Sequence, residues 1–246
     1  MSPLAGITVP ETCGSERGPA VGGDLKGVTR RAAPVDVETK AQPAQRRSRE
    51  TYDRILTAAG ELLEEVGMER ISTNMVAERA GVSPAALYRY FPNKYALVVA
   101  LAELLASTSN AAIVEWIKAG GLETRNLDEA VAKNFEIQKR TTEIIRAFPG
   151  GPWIARSIRA LPALRDVANR SRRDVVDQLF AIQRGRYPHV PEDELRTAIR
   201  LSTDALASNS LMVLEDPDLD ADAMLREGCL MVAIYYEHLD ARYPHP

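Results

Sequence analysis

Few residues in this chain could carry covalent chemistry, and none sits in a pattern that would activate it. Three histidines (His189, His238, His245) and two cysteines (Cys13, Cys229) occur in 246 residues. His189 lies in a Pro-flanked loop, and the other two histidines lie near the C-terminus. No CxxC pair and no Cys/His spacing suits zinc. GxGxxG, P-loop, HExxH and GxSxG patterns are absent. A catalytic site, a metal and a cofactor are therefore not expected. Chemistry of another kind is concentrated in Ser72–Phe91, STNMVAERAGVSPAALYRYF. Tyr88 and Arg89 offer a phenol and a guanidinium side by side, with the small Ala85 and Ala86 just before them. Such groups bind phosphate oxygens or base edges, and small residues let a helix backbone come near a base.

Two short helices must position those side chains. Thr73–Ala80 reads as the first, capped by Ser72 or Thr73. Gly81 falls just past its end, where a left-handed backbone is needed. Ser83 caps the second helix and Pro84 takes its first position, where a missing N–H costs nothing. Pro92 stops it. Val76, Ala80, Val82 and Leu87 can meet inside the corner, and Ala77 is small where the helices cross. Helices joined by such a turn form a helix-turn-helix, which lays its second helix in a DNA major groove. Ahead of it, Ser48–Val66 places Tyr52, Ile55, Leu56, Ala59, Leu62, Leu63 and Val66 on one helical face.

The run from Ile55 to Leu101 resembles the DNA-binding domain of the tetracycline-repressor (TetR) family. The strings ILTAAGELLEEVG and AERAGVSPAALYRYFPNK carry the likeness. The resemblance implies that Thr73, Ser83, Tyr88, Tyr90 and Lys94 contact phosphates. Ala85, Ala86 and Arg89 are candidates for base edges, with Pro84 to Tyr90 entering the groove. Arg46 and Arg47 could extend the surface as a basic arm, or belong to a solvated linker. The implied partners are a double-stranded DNA operator, a second copy of the chain and a small-molecule effector. The implied function is that of a ligand-released repressor. An architectural or activating DNA-binding protein without a ligand is the alternative.

The remainder reads as all-α. Hydrophobic residues make up 45% and charged residues 26%, with a formal net charge of −3. Residues 1–45 hold eleven Pro or Gly and no aromatic residue, and are expected to be a disordered extension. A three-helix DNA-binding domain is expected over 46–95, and a helical ligand-binding and dimerisation domain over 96–246. Helices are expected from Asn93 to about Ala119, Leu127 to Phe148, Trp153 to Leu161, Ala163 to Arg186, Glu192 to Leu214, and Asp220 or Ala221 to Leu239. Trp116, Phe135, Phe148, Trp153, Phe180 and Met212 are candidates for lining a ligand cavity, although aromatic residues at helical spacing are ordinarily core. Leu195, Ile199, Leu206, Leu225, Val232 and Tyr236 are candidates for a dimer interface made of the last two helices. No apolar run of about 18 residues suggests a membrane span, and no signal peptide is evident, so a cytoplasmic protein is expected.

Overall fold

The computed structural model describes residues 46–158 and 160–243. The expected disordered extension over 1–45 lies outside the described residues. Within them the chain forms nine helices and no strand. Helix α1 (Arg46–Arg70) is broken at Gly67 (φ 72°, ψ 173°), where the apolar face of its first part ends. Helices α2 (Thr73–Arg79) and α3 (Pro84–Tyr88) follow. Ser72 Oγ accepts from the Met75 N–H and Ser83 Oγ from the Ala86 N–H, so one of the orphan donors at each helix start is met as the sequence predicts. Gly81, at φ +65°, supplies the left-handed turn between them.

Helix α4 (Lys94–Lys118) is capped by Asn93, whose Oδ1 accepts from the Tyr95 and Ala96 N–H groups. By length and composition α4 is apolar enough to cross a membrane, but its residues Ala96 to Ala102 are all buried in the protein. Farther along the same helix, Leu104 is 45% exposed. Helices α5 (Leu127–Ala147), α6 (Gly151–Ser157), α7 (Pro162–Arg186), α8 (Glu192–Glu215) and α9 (Ala221–Arg242) complete the chain. Helix α6 starts two residues before the expected Trp153 and ends four before Leu161. The reason is local: Gly150 is left-handed at φ 74° and Pro152 sits in the first turn, so the Pro-Gly-Gly-Pro stretch opens a helix rather than only separating two. Pro162 likewise begins α7.

Two apolar clusters hold the helices together. The first joins α1, α2, α3 and the start of α4, through Ile55, Leu63, Val76, Leu87, Phe91, Leu97 and Leu101, to Ile154 of α6 and Leu164 and Val167 of α7. The helix-turn-helix therefore shares its core with the helices that follow. The second gathers Leu179, Leu195, Ile199 and Leu239 from α7, α8 and α9 with Tyr187 and Val190 of the loop between α7 and α8.

Candidate nucleic-acid interface and adjoining cavity

The helix-turn-helix holds its outer face by few but specific contacts. Val76 and Leu87 are fully buried beneath it, and the Val82 N–H donates to Ala77 O at 3.0 Å across the corner. Ser83, Pro84, Ala85, Tyr88 and Arg89 are exposed on one side of the short α3, and Ala86 is half-buried. Thr73, at the start of α2, and Tyr88, at the end of α3, bring their hydroxyls together at 2.8 Å. That pair spans both helices and leaves lone pairs and a proton for a further oxygen. The helices are tied to the scaffold by Arg79 of α2, which bridges to Glu65 of α1 at 2.8 Å and to Glu61 at 3.4 Å. The Arg79 hydrogen bond holds the Glu65 carboxyl below its ordinary range.

Two expected phosphate contacts are placed elsewhere. Tyr90 lies beyond the end of α3 and is 2% exposed. Its ring packs edge-on to Tyr52 at 5.8 Å. Arg89 donates to its hydroxyl at 2.8 Å and lies over its ring, so Tyr90 positions Arg89 rather than facing outward. The Arg89 hydrogen bond is also the chief cause that lowers the Tyr90 phenol from its ordinary value. Lys94 turns its ammonium inward, donating to the carbonyls of Met68 at 2.8 Å, Ile71 at 3.3 Å and Glu69 at 3.4 Å. It caps the carbonyl end of α1, a site a cation favours. The side chains of Arg46 and Arg47, the expected basic arm, lie outside the described residues.

Behind the first apolar cluster a cavity of about 760 Å³ opens among α4 to α9. Of the six residues expected to line it, only Trp116 does. Phe148 and Trp153 pack against the first cluster and Phe180 against the second. Phe180 lies under the Arg196 guanidinium at 3.9 Å, and Phe135 under that of Arg226 at 4.3 Å. Met212 points outward, 49% exposed. Phe135 and Phe180 are thus covered by cations, and Phe148 and Trp153 help fill the core.

The expected dimer residues are corrected in the same way. Leu195, Ile199, Leu225 and Val232 are buried within the protomer. Ile199, Leu206, Val232 and Tyr236 line the cavity. The apolar residues that α8 and α9 expose are Leu201, Met212, Met231 and Ile234. The first stripe read from each helix faces inward, and the apolar residues to its side were the signal for the outward face.

Sequence reasoning also missed the polar wall of the cavity. Gln138 donates to Leu206 O at 2.6 Å and to Ser210 Oγ, and behind the wall Thr142 shares a hydrogen bond with Ser210 at 2.7 Å. Gln183 and Ser202 are equally buried. Their signal was an uncharged polar residue within an otherwise apolar helical face, which Ser202 and Ser210 show on α8.

Comparison with known proteins agrees with this architecture. Residues 55–101 match the model for bacterial regulatory proteins of the tetR family. The chain is 46% identical over 56 residues to the class C tetracycline repressor protein of Escherichia coli, covering 23% of this chain and 26% of that one. It is 31% identical over 118 residues to the nucleoid occlusion factor SlmA of Mannheimia succiniciproducens, covering 48% of this chain and 55% of the relative. The match thus spans about half of one relative and a quarter of the other. A tetR-family regulator from Streptomyces coelicolor shares the fold, with a TM-score of 0.56 at 17% identity over 78% of this chain and 86% of that structure. The paired helices of the N-terminal head and the match across them thus make residues 55–101 a domain of the tetR-family regulatory-protein type, set in an all-helical fold shared with tetR-family structures.

Proposed function

We propose that the protein is a ligand-responsive regulator, most simply a repressor, that binds a palindromic operator as a homodimer. The observation that supports DNA reading most directly is the exposed face of α3, with Tyr88 hydrogen-bonded to Thr73 across the corner. In this reading Thr73, Ser83 and Tyr88 meet phosphates, and Ala85, Ala86 and Arg89 face base edges. With no polar side chain at Ala85 or Ala86, contact there is with a thymine methyl or through close backbone approach. Arg89 reaches a base only by leaving Tyr90.

Leu201 and Met212 of α8 and Met231 and Ile234 of α9 supply the outward apolar surface that a second copy would cover. Recognition helices in such a dimer read half-sites about one helical turn apart, roughly 34–36 Å, or more. The cavity supports an effector. A molecule that binds better when the two heads are wrongly spaced lowers DNA affinity, and DNA lowers its affinity equally. A typical coupling of about 1–3 kcal/mol changes operator affinity roughly 5- to 150-fold.

Selection of bound duplexes from a random library tests the reading. An inverted repeat should emerge, and Ala86→Gln should change the selected bases at one position of each half-site. Recovery of unrelated sequences would contradict it. The similarity to a nucleoid occlusion factor over 118 residues supports a second reading, a DNA-bound role without an effector. In that case nothing that enters the cavity alters DNA affinity.

A further inference from the structure

The cavity is polarised along its length. On α4 it is lined from Ala102 to Trp116, a span of about 21 Å at the helical rise. At one end its walls are Leu105, Ile154 and Val167, all from the first apolar cluster. At the other end it meets the second cluster, where Ser202 and Gln183 are more than nine-tenths buried. Tyr236 lines this end too, with its hydroxyl near both side chains. Beyond the loose contact of the Tyr236 hydroxyl with Ser202 and Gln183, no hydrogen bond closes on Ser202 Oγ or on Gln183 Oε1, nor on the buried Trp116 Nε1, which lines the same cavity. Buried polar atoms without partners are uncommon in folded proteins and mark places where something else supplies the bond.

The buried atoms left open on the cavity wall, Ser202 Oγ, Gln183 Oε1 and Trp116 Nε1, all belong to uncharged side chains. Burial pushes the Tyr236 phenol well up, so it stays a neutral donor. The charged residues of the cavity wall are held by other groups or exposed: Asp240 lies 3.1 Å from His189, and Glu237 is exposed. Arg172 pairs with Asp204 at 2.6 Å, Arg125 with Glu129 at 3.0 Å, and the exposed Arg186 donates to Leu122 O and Thr124 Oγ1. A charged head brought to Ser202 and Gln183 would lose its water without gaining a counter-ion, which is costly.

We infer that the cavity takes an uncharged amphiphile: an elongated hydrocarbon lying toward Ile154 and Val167, with a hydroxyl head among Ser202, Gln183 and Tyr236. This rests on reading the cavity as the effector site. The head offers both a lone pair, for Tyr236 or Trp116, and a polar partner for the unmatched oxygens. Its tail fills the end that shares a core with the helix-turn-helix.

Calorimetric titration of the full chain with 1-decanol, decanoate and decyltrimethylammonium tests the inference. 1-Decanol should bind, and both charged probes should bind at least about tenfold more weakly. Ser202→Ala and Ser202→Ala with Gln183→Leu should weaken 1-decanol progressively, by about tenfold in the double variant. Their cooperative thermal melts would show that the fold survives. Should the double variant fail to fold, Ser202→Ala alone carries the comparison. Equal or tighter binding of a charged probe, unchanged 1-decanol binding in the variants, or no binding of 1-decanol would overturn it. Operator affinity measured in the same samples separates the two readings. If decanoate and not 1-decanol loosens DNA, the effector reading stands and the uncharged amphiphile falls. If 1-decanol binds as expected and DNA affinity is unchanged, the ligand class stands and the effector reading falls.

Discussion

At the scale of single residues, three side chains close together in sequence have different work to do. The Tyr88 hydroxyl is exposed and shared with Thr73. Tyr88→Phe should weaken operator binding by about 0.5–1.5 kcal/mol, the net value of one neutral hydrogen bond, with an unchanged melting temperature. Lys94 is expected to act on stability instead. Lys94→Met leaves the carbonyls of Met68 and Ile71 without their cation, costing about 1–3 kcal/mol in thermal or denaturant unfolding. The dependence of log affinity on log salt should keep its slope. A slope reduced by about one would show that Lys94 meets a phosphate in the complex. The sequence could not separate these roles. Tyr88, Tyr90 and Lys94 all have chemistry suited to phosphate, and what divides them is that α3 ends at Tyr88, so Tyr90 turns under Tyr52. That end is set by packing around Leu87 and Phe91, which no local propensity encodes.

At the scale of elements, α2 and α3 were legible because capping and turn residues fix them locally: Ser72, Gly81, Ser83 and Pro84 each have one good backbone role. The contact between α1 and the α5–α6 corner was not legible. Gly60 of α1 lies so close to that corner that a Cβ built on it would stand 2.4 Å from Pro149 O, and one on Gly150 would stand 3.1 Å from Gly60 Cα. Nothing in the sequence links Gly60 to a loop 90 residues away. Gly60→Val should push the corner off α1 and lower stability by about 1–3 kcal/mol, read as a fall in melting temperature. An unchanged melt would mean that the corner moves freely. The Arg79–Glu65 tie between α2 and α1 gives a pH dependence of definite sign. Because Glu65 is held below its ordinary value in the folded chain, its contribution is present above the unfolded carboxylate range. It is lost as pH falls through the depressed folded value. Arg79→Gln should therefore lower stability by a constant amount at neutral and basic pH and flatten its fall below about pH 5.

At the scale of the whole molecule, the order of helices was legible from apolar period and breakers, but their inner and outer faces were not. Helices α8 and α9 are apolar on more than one side, and periodicity alone cannot say which side meets the protomer's own core. Leu225 is 2% exposed and Met231 is 72% exposed, though they lie on one helix only six residues apart. Met231→Arg with Ile234→Asp should therefore shift sedimentation from dimer to folded monomer and weaken operator binding. Leu225→Ala should instead destabilise each protomer by about 2–5 kcal/mol. The aromatic candidates for the cavity failed for a related reason: Phe135 and Phe180 are covered by Arg226 and Arg196, cations distant in sequence. A regulator of this kind requires above all that the face of α3 reads DNA sequence. Fluorescence anisotropy tests it, with the full chain titrated against the selected duplex, and a scrambled duplex, at several salt concentrations beside Tyr88→Ala/Arg89→Ala. The account predicts selective binding that the double variant loses while it melts like the parent, and log affinity falling with log salt at about −0.9 per neutralised phosphate. Binding of equal strength to both duplexes, unchanged in the variant, would contradict it.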